Sequence, residues 1–96
     1  MFLRTIRFQA KRSAMAKFQE LAEFARERSA PLDGLLQNYV AMDETGKGVM
    51  VGVWTSREKA QASLDAVQAN WAAVSEHLEG EPQMDEYPIA LQIVGD

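Results

Sequence analysis

Hydrophobic and polar positions alternate over the first nine residues: Phe2, Ile6 and Phe8 share one face with Arg4, while Leu3, Thr5, Arg7 and Gln9 share the other. A period of two belongs to a strand. From Lys11 to Ala30 the period lengthens, with Ala14, Phe18, Leu21, Ala22 and Ala25 recurring at three and four residues and no Gly or Pro between them. This predicts a helix, which Pro31 stops before Asp33-Gly34 supplies a turn. Leu35 to Met42 and Gly48 to Trp54 predict two further strands, joined as a hairpin by Asp43-Glu44-Thr45-Gly46-Lys47, with Gly46 free to take positive φ. On the third strand Val49, Val51 and Val53 share one face, and Met50, Gly52 and Trp54 the other. Both faces are therefore apolar, unlike those of a strand wetted on one side.

Thr55 precedes Glu58 by three residues, the spacing of a capping box, and predicts the start of a second helix. Its apolar stripe is Ala60, Leu64, Val67, Trp71, Val74 and Leu78, spaced by alternating fours and threes. One face is thus buried over about six turns, more readily against a sheet than as a coiled-coil seam. Gly80 is expected as a left-handed cap, and Pro82 prevents the helix from resuming. Met84 to Pro88 then reads as a connector and Ile89 to Val94 as the closing strand, with Pro88 confining its start to a sheet edge or bulge. The order βαββαβ predicts an α+β, ferredoxin-like fold: a four-stranded antiparallel sheet with two helices on one face.

Composition narrows the function. Ninety-six residues, 47% of them hydrophobic, fit one domain spanning 1–96. A domain this small leaves much apolar surface uncovered, so a second apolar sheet face calls for a partner. The net charge of −4 and the scattered bases disfavour nucleic-acid binding, which needs clustered Lys and Arg. With no cysteine, disulfides, thiolate metal sites and thiol nucleophiles are excluded. No apolar run approaches the roughly 18 residues that span a bilayer, and the first ten residues are too short and too charged for a signal peptide, so a cytoplasmic protein with no membrane partner is expected.

The element order, the loop Asp43-Glu44-Thr45-Gly46-Lys47 and the phrase Val51-Gly52-Val53-Trp54-Thr55-Ser56-Arg57-Glu58-Lys59-Ala60 resemble the dimeric α+β barrel superfamily, within it the antibiotic-biosynthesis monooxygenase-like group. The resemblance covers essentially the whole chain. It implies a homodimer whose sheets pack face to face, the last strand clasping the partner, and a pocket between sheet and helices in each subunit. Members use that pocket for cofactor-free oxidation of aromatic polyphenols, haem degradation or isomerisation, and fold alone does not choose among these.

Five residues are candidates for the pocket: Trp54, Asn38, Tyr39, Arg7 and Met50. Trp54 can stack on an aromatic ligand and donate its N–H, or simply close the core. The resemblance assigns a Trp at this place to the active site. Asn38 and Tyr39 point to opposite faces, so one enters the pocket, with Asn38 preferred, and the other the subunit interface. Asn38 as a satisfied structural amide is the plainer alternative. Arg4 and Arg7 fit an anionic or phenolate ligand, or else a solvated edge or an ion pair. Met50 stands where the resembling oxidases carry Asn, and Leu64 where haem-degrading members carry their axial His. The sole histidine, His77, reads as a solvated helix residue. Metal binding lacks ligands, Gly46-Lys47-Gly48 opens no helix to cradle phosphate, and no nucleophile elbow surrounds any Ser. The expectation is a dimeric barrel protein that binds a small apolar or aromatic molecule without metal or cofactor. Its activity, if any, is cofactor-independent monooxygenation, and the alternative is a non-catalytic ligand-binding or structural dimer.

Overall fold

The computed structural model describes residues 1–95. Its strands are β1 (Phe2–Gln9), β2 (Leu35–Met42), β3 (Lys47–Trp54) and β4 (Gln83–Pro88). They form one antiparallel sheet in the order β2-β3-β1-β4. The helices are α1 (Arg12–Ala16), α2 (Phe18–Ser29), α3 (Arg57–Ala62) and α4 (Leu64–Ala73), followed by a single tighter turn at Ser75–His77. This is the expected α+β, ferredoxin-like arrangement.

The register assigns the faces. Phe2 pairs with Trp54, Arg4 with Gly52 and Ile6 with Met50, so these side chains share one side of the sheet. Phe2, Ile6 and Trp54 are buried there with Ala60 of α3 and Val67 of α4, and Trp71 and Met84 pack against that cluster. Burying each large apolar side chain contributes about 1.5–3 kcal/mol, and this face supplies the core. The opposite face carries Val49, Val51 and Val53 of β3, and no helix among the described residues lies over it. Tyr39 and Tyr87 on that side remain 60% and 56% exposed.

Three expectations are corrected. The closing strand is Gln83–Pro88, not Ile89 to Val94. Pairing of this segment with β1 sets Met84 beside Ile6 and Glu86 beside Arg4, a hydrophobic match and a charge match that Ile89 to Val94 cannot provide. Pro88 does lie on an edge strand, at its last residue. Beyond it Leu91, Ile93 and Val94 are 75%, 85% and 87% exposed.

Each long helix is also two helices. The second breaks at Ser63, whose Oγ donates to the Lys59 carbonyl 3.1 Å away, a back-bond that competes with the helical ladder. The first breaks at Lys17, where the sequence carries neither Gly nor Pro. Finally, the helix after β3 is capped by Ser56 rather than Thr55: the Ser56 Oγ accepts the Lys59 N–H at 3.2 Å.

The hairpin loop is held by Asp43. Its Oδ1 accepts from the Thr45 hydroxyl at 2.6 Å and from the N–H groups of Thr45 and Lys47 at 2.8 and 3.1 Å. Gly46 takes φ +88° as expected, and a methyl there would meet the Ala10 carbonyl oxygen at 2.6 Å.

Candidate functional site

One row crosses all four strands on the helix-covered face. Asn38 of β2 pairs with Gly52 of β3, Gly52 with Arg4 of β1, and Arg4 with Glu86 of β4. Partners in such a row stand about 4.5–5.5 Å apart, so the one residue without a side chain stands between Asn38 and Arg4, with Glu86 beyond Arg4. Trp54, two residues along β3, points to the same side. A methyl at Gly52 would lie 3.2 Å from Trp54 Nε1, 3.6 Å from Leu35 Cδ1 and 3.7 Å from Asn38 Oδ1. The glycine therefore lets the indole and the Asn38 amide pack close over the β3 backbone.

Arg4 is 2% exposed, so its cation needs compensation. Glu86 Oε2 accepts from Arg4 Nε at 3.1 Å and from Nη2 at 2.9 Å, and the Ala60 carbonyl accepts from Nη2 at 2.9 Å. The guanidinium carbon lies 5.4 Å from the centroid of the Trp54 ring, within cation–π range. A guanidinium has five N–H donors, and this arrangement engages those of Nε and Nη2 only. Nη1 is buried without a partner, and so are Trp54 Nε1 and His77 Nδ1. A buried polar group left unpaired costs about 1–3 kcal/mol, which makes three such atoms around one space informative.

That space is a cavity of about 190 Å³ between sheet and helices. Arg4, Ile6, Met50, Gly52 and Trp54 line its floor, and Phe18, Leu21 and Phe24 of α2, with Val67 and Trp71 of α4, line its roof. Most of the lining is apolar. It exists because α2 stands off the sheet: none of its residues is fully buried, although its apolar side faces inward. Trp71 packs on Phe8 with ring centroids 5.5 Å apart, closing the α4 side. Asn38 lines the cavity while remaining exposed, so the space reaches solvent at the β2 edge.

Trp54, Asn38 and Met50 are brought together around this cavity. Arg7 and Tyr39 lie on the other face of the sheet. Arg7 meets Asp85 there at 3.4 Å, with its side chain 64% exposed. Asn38 is an exposed side chain, not a buried amide; its Nδ2 lies 3.4 Å from the Ser29 Oγ. His77 departs from the solvated helix residue expected. Its side chain is 14% exposed and lines the far end of the cavity, with Nε2 3.5 Å from Glu76 Oε1. Asn70 of α4 also lines it and was not singled out from sequence, although it falls three residues after Val67 on the buried stripe. Among the described residues no three His, Asp or Glu side chains converge as metal ligands would. No helix among them is long and apolar enough to cross a membrane.

At the level of sequence, no family model and no curated protein matches the chain. Solved structures do match. A Nitrosomonas europaea protein assigned as an antibiotic biosynthesis monooxygenase superposes with a TM-score of 0.77 at 15% identity, covering 95% of this chain and 100% of its own. A Deinococcus radiodurans protein with the same assignment gives 0.77 at 18% identity, covering 99% and 100%. A variant of SnoaB, a cofactor-independent oxygenase from Streptomyces nogalater, gives 0.77 at 14% identity, covering 96% and 95%. The chain has the fold of the antibiotic-biosynthesis monooxygenase-like proteins over essentially its whole length, as its sequence led us to expect.

Proposed function

We propose that this chain forms a homodimeric α+β barrel, each subunit of which takes a small apolar or aromatic molecule into the cavity beneath α2. The observation that carries the reading is the cavity itself: an apolar enclosure of about 190 Å³ with buried, unpartnered polar atoms on its wall. A few polar groups set in an apolar lining are the usual make-up of a small-molecule site. Pairing of the subunits is supported by the uncovered sheet face, where Val51 pairs with exposed Tyr39 and Leu3 stands between Val53 and exposed Tyr87. The exposed apolar segment around Leu91, Ile93 and Val94 supplies further surface for a partner copy.

The reaction we propose for the site is cofactor-independent oxygenation, supported by the likeness of fold to a cofactor-independent oxygenase. Without a cofactor, the electrons that reduce dioxygen must come from the substrate, so the substrate has to reach an electron-rich oxyanion form. The buried N–H donors of Arg4 and Trp54 would favour that form. Incubation with dihydroxy- and trihydroxyaromatics should give oxygen uptake that falls in Trp54→Phe. A second reading, binding without catalysis, is favoured by Met50, an apolar side chain on the cavity floor where the resembling oxidases carry Asn. On that reading the same compounds shift tryptophan fluorescence but consume no oxygen. Absence of both responses would count against the site.

A further inference from the structure

We infer that the space between sheet and helices is a tunnel for one unbranched alkyl or acyl chain of about ten to twelve carbons, its polar head at the β2 edge. This rests on the cavity as a small-molecule site, proposed above, and adds the shape of the occupant. A saturated chain has no oxyanion form from which electrons pass to dioxygen, so it belongs with the second reading, binding without catalysis. Length, cross-section and the placement of polar groups carry it.

Length follows from the floor. Arg4, Ile6, Phe8 and Ala10 are successive positions on one side of β1 and its continuation, and all four line the cavity. At about 3.4 Å per residue they span roughly 20 Å. The roof agrees, because lining residues run along α2 from Phe18 to Ser29, about 16 Å at the helical rise. A compact cavity of roughly 150 Å³ holds benzene. The space here, about 190 Å³ drawn out over about 20 Å, averages less than half the cross-section of that compact one. A ring is too wide for most of such a tunnel, whereas an alkyl chain is not. An extended chain advances roughly 1.3 Å per carbon, so about ten to twelve carbons with their terminal atoms fill about 15–18 Å.

The two ends differ. At the β2 edge, where the space reaches solvent, Asn38 Nδ2 lies 3.4 Å from Ser29 Oγ. Both side chains are uncharged and each can donate and accept, which suits a hydroxyl or ester head. Arg4 nearby already has Glu86 as its counter-charge, so a neutral head suffices. At the other end Ala10, Ala14 and Leu78 line the space, all three buried, with Ala10 and Leu78 bridged through their backbones. Two alanines there leave room for a terminal methyl and set a stop. Between the ends the walls are side chains such as Phe8, Val40, Met42 and Met50, with Asn70 and His77 the polar exceptions on the roof.

Straight-chain 1-alkanols from hexanol to tetradecanol, titrated into the full-length protein below their solubility limits, provide the measurement. Trp54 and Trp71 both line the space, so tryptophan fluorescence reports occupancy. Affinity should rise about fourfold for each added methylene, the transfer value, and level off at about ten to twelve carbons. Ala14→Leu, which extends into the closed end, should move that plateau down by about three carbons, and Ala14→Phe by more, while hexanol binds as in the parent and the helical signal is kept. Should the Phe variant fail to fold, the Leu variant carries the comparison. No gain with chain length, while catechol still shifts the fluorescence, overturns the tunnel and leaves the cavity reading standing. A gain that runs unbroken to tetradecanol, or a plateau at the same carbon in the parent and the folded Ala14 variants, also overturns the tunnel. Silence towards every alkanol and towards catechol overturns both.

Discussion

Arg4 and Glu86 face each other across the β1–β4 ladder, and a single carboxylate oxygen, Glu86 Oε2, receives both Arg4 Nε and Arg4 Nη2. The arginine side chain is 2% exposed and the glutamate 26%, so loss of the acid would strand a cation inside the core. Glu86→Ala is expected to destabilise the fold by about 2 kcal/mol, the range for charged hydrogen bonds, and Glu86→Gln by less because an acceptor oxygen remains. Urea unfolding of the three proteins checks the order. A Glu86→Ala protein as stable as the parent would mean that Arg4 finds other compensation.

The start of α3 gives a sharper comparison, because Thr55 and Ser56 are adjacent hydroxyl residues and one of them caps. Ser56 Oγ receives the Lys59 N–H. Ser56→Ala should therefore cost about 1 kcal/mol, and Thr55→Ala only a few tenths. Thermal unfolding of the two single variants distinguishes them, and the reverse order would restore Thr55 as the cap.

Asp43 in the hairpin loop has its carboxyl held below the ordinary aspartate value, first by the Thr45 hydroxyl and then by the Thr45 and Lys47 N–H groups, which bond the ionised form. A depressed folded-state value means that its contribution to stability is complete above the unfolded value, about 3.9, and is lost as pH falls through the lower folded value. The carboxyl carbon of Asp43, followed by NMR, should titrate below a free aspartate. Thr45→Val removes the leading cause and should move the midpoint upward, with the backbone bonds keeping part of the depression. A midpoint already at the ordinary value in the parent would contradict the loop geometry.

The elements that sequence made legible are those set by local pattern. The alternation of Phe2, Ile6 and Phe8, the two apolar faces of β3 and Gly46 at the hairpin all act within a few residues, and their order was enough to specify the ferredoxin-like sheet. Long-range pairing was harder to read. Ile89 to Val94 has the composition of a strand, yet Met84 and Glu86 have the partners, Ile6 and Arg4, some eighty residues away in the chain. The cavity divides the same way. Trp54, Asn38 and Met50 could be placed by alternation along their strands. Arg4 was offered from sequence together with Arg7, and only the pairing with Gly52 and Glu86 on two other strands separates them, while His77 lines the cavity because the chain folds its end back over Ala10. Periodicity reports which face a residue occupies, and it is silent on which donors remain unpaired once that face is covered.

The uncovered sheet face yields the last prediction. Val51 lies between Thr5 and Tyr39 in the ladder, with Val53 and Leu3 in the next row beside Tyr87, so apolar side chains run across the sheet. Side chains on this face point away from the cavity. A charge at Val51 should therefore break subunit pairing while leaving the cavity intact. The parent protein is expected to sediment at twice the chain mass at micromolar concentration, and Val51→Asp at the mass of one chain with its helical signal preserved. If the barrel forms as we propose, two such faces bury an area in the range of stable interfaces, and two facing carboxylates in that dry layer would cost more than the lost apolar contact. A parent protein that remains a folded monomer at that concentration would remove the pairing from the proposal. The cavity beneath α2, which lies wholly within one chain, would still be testable with the dihydroxy- and trihydroxyaromatics through tryptophan fluorescence.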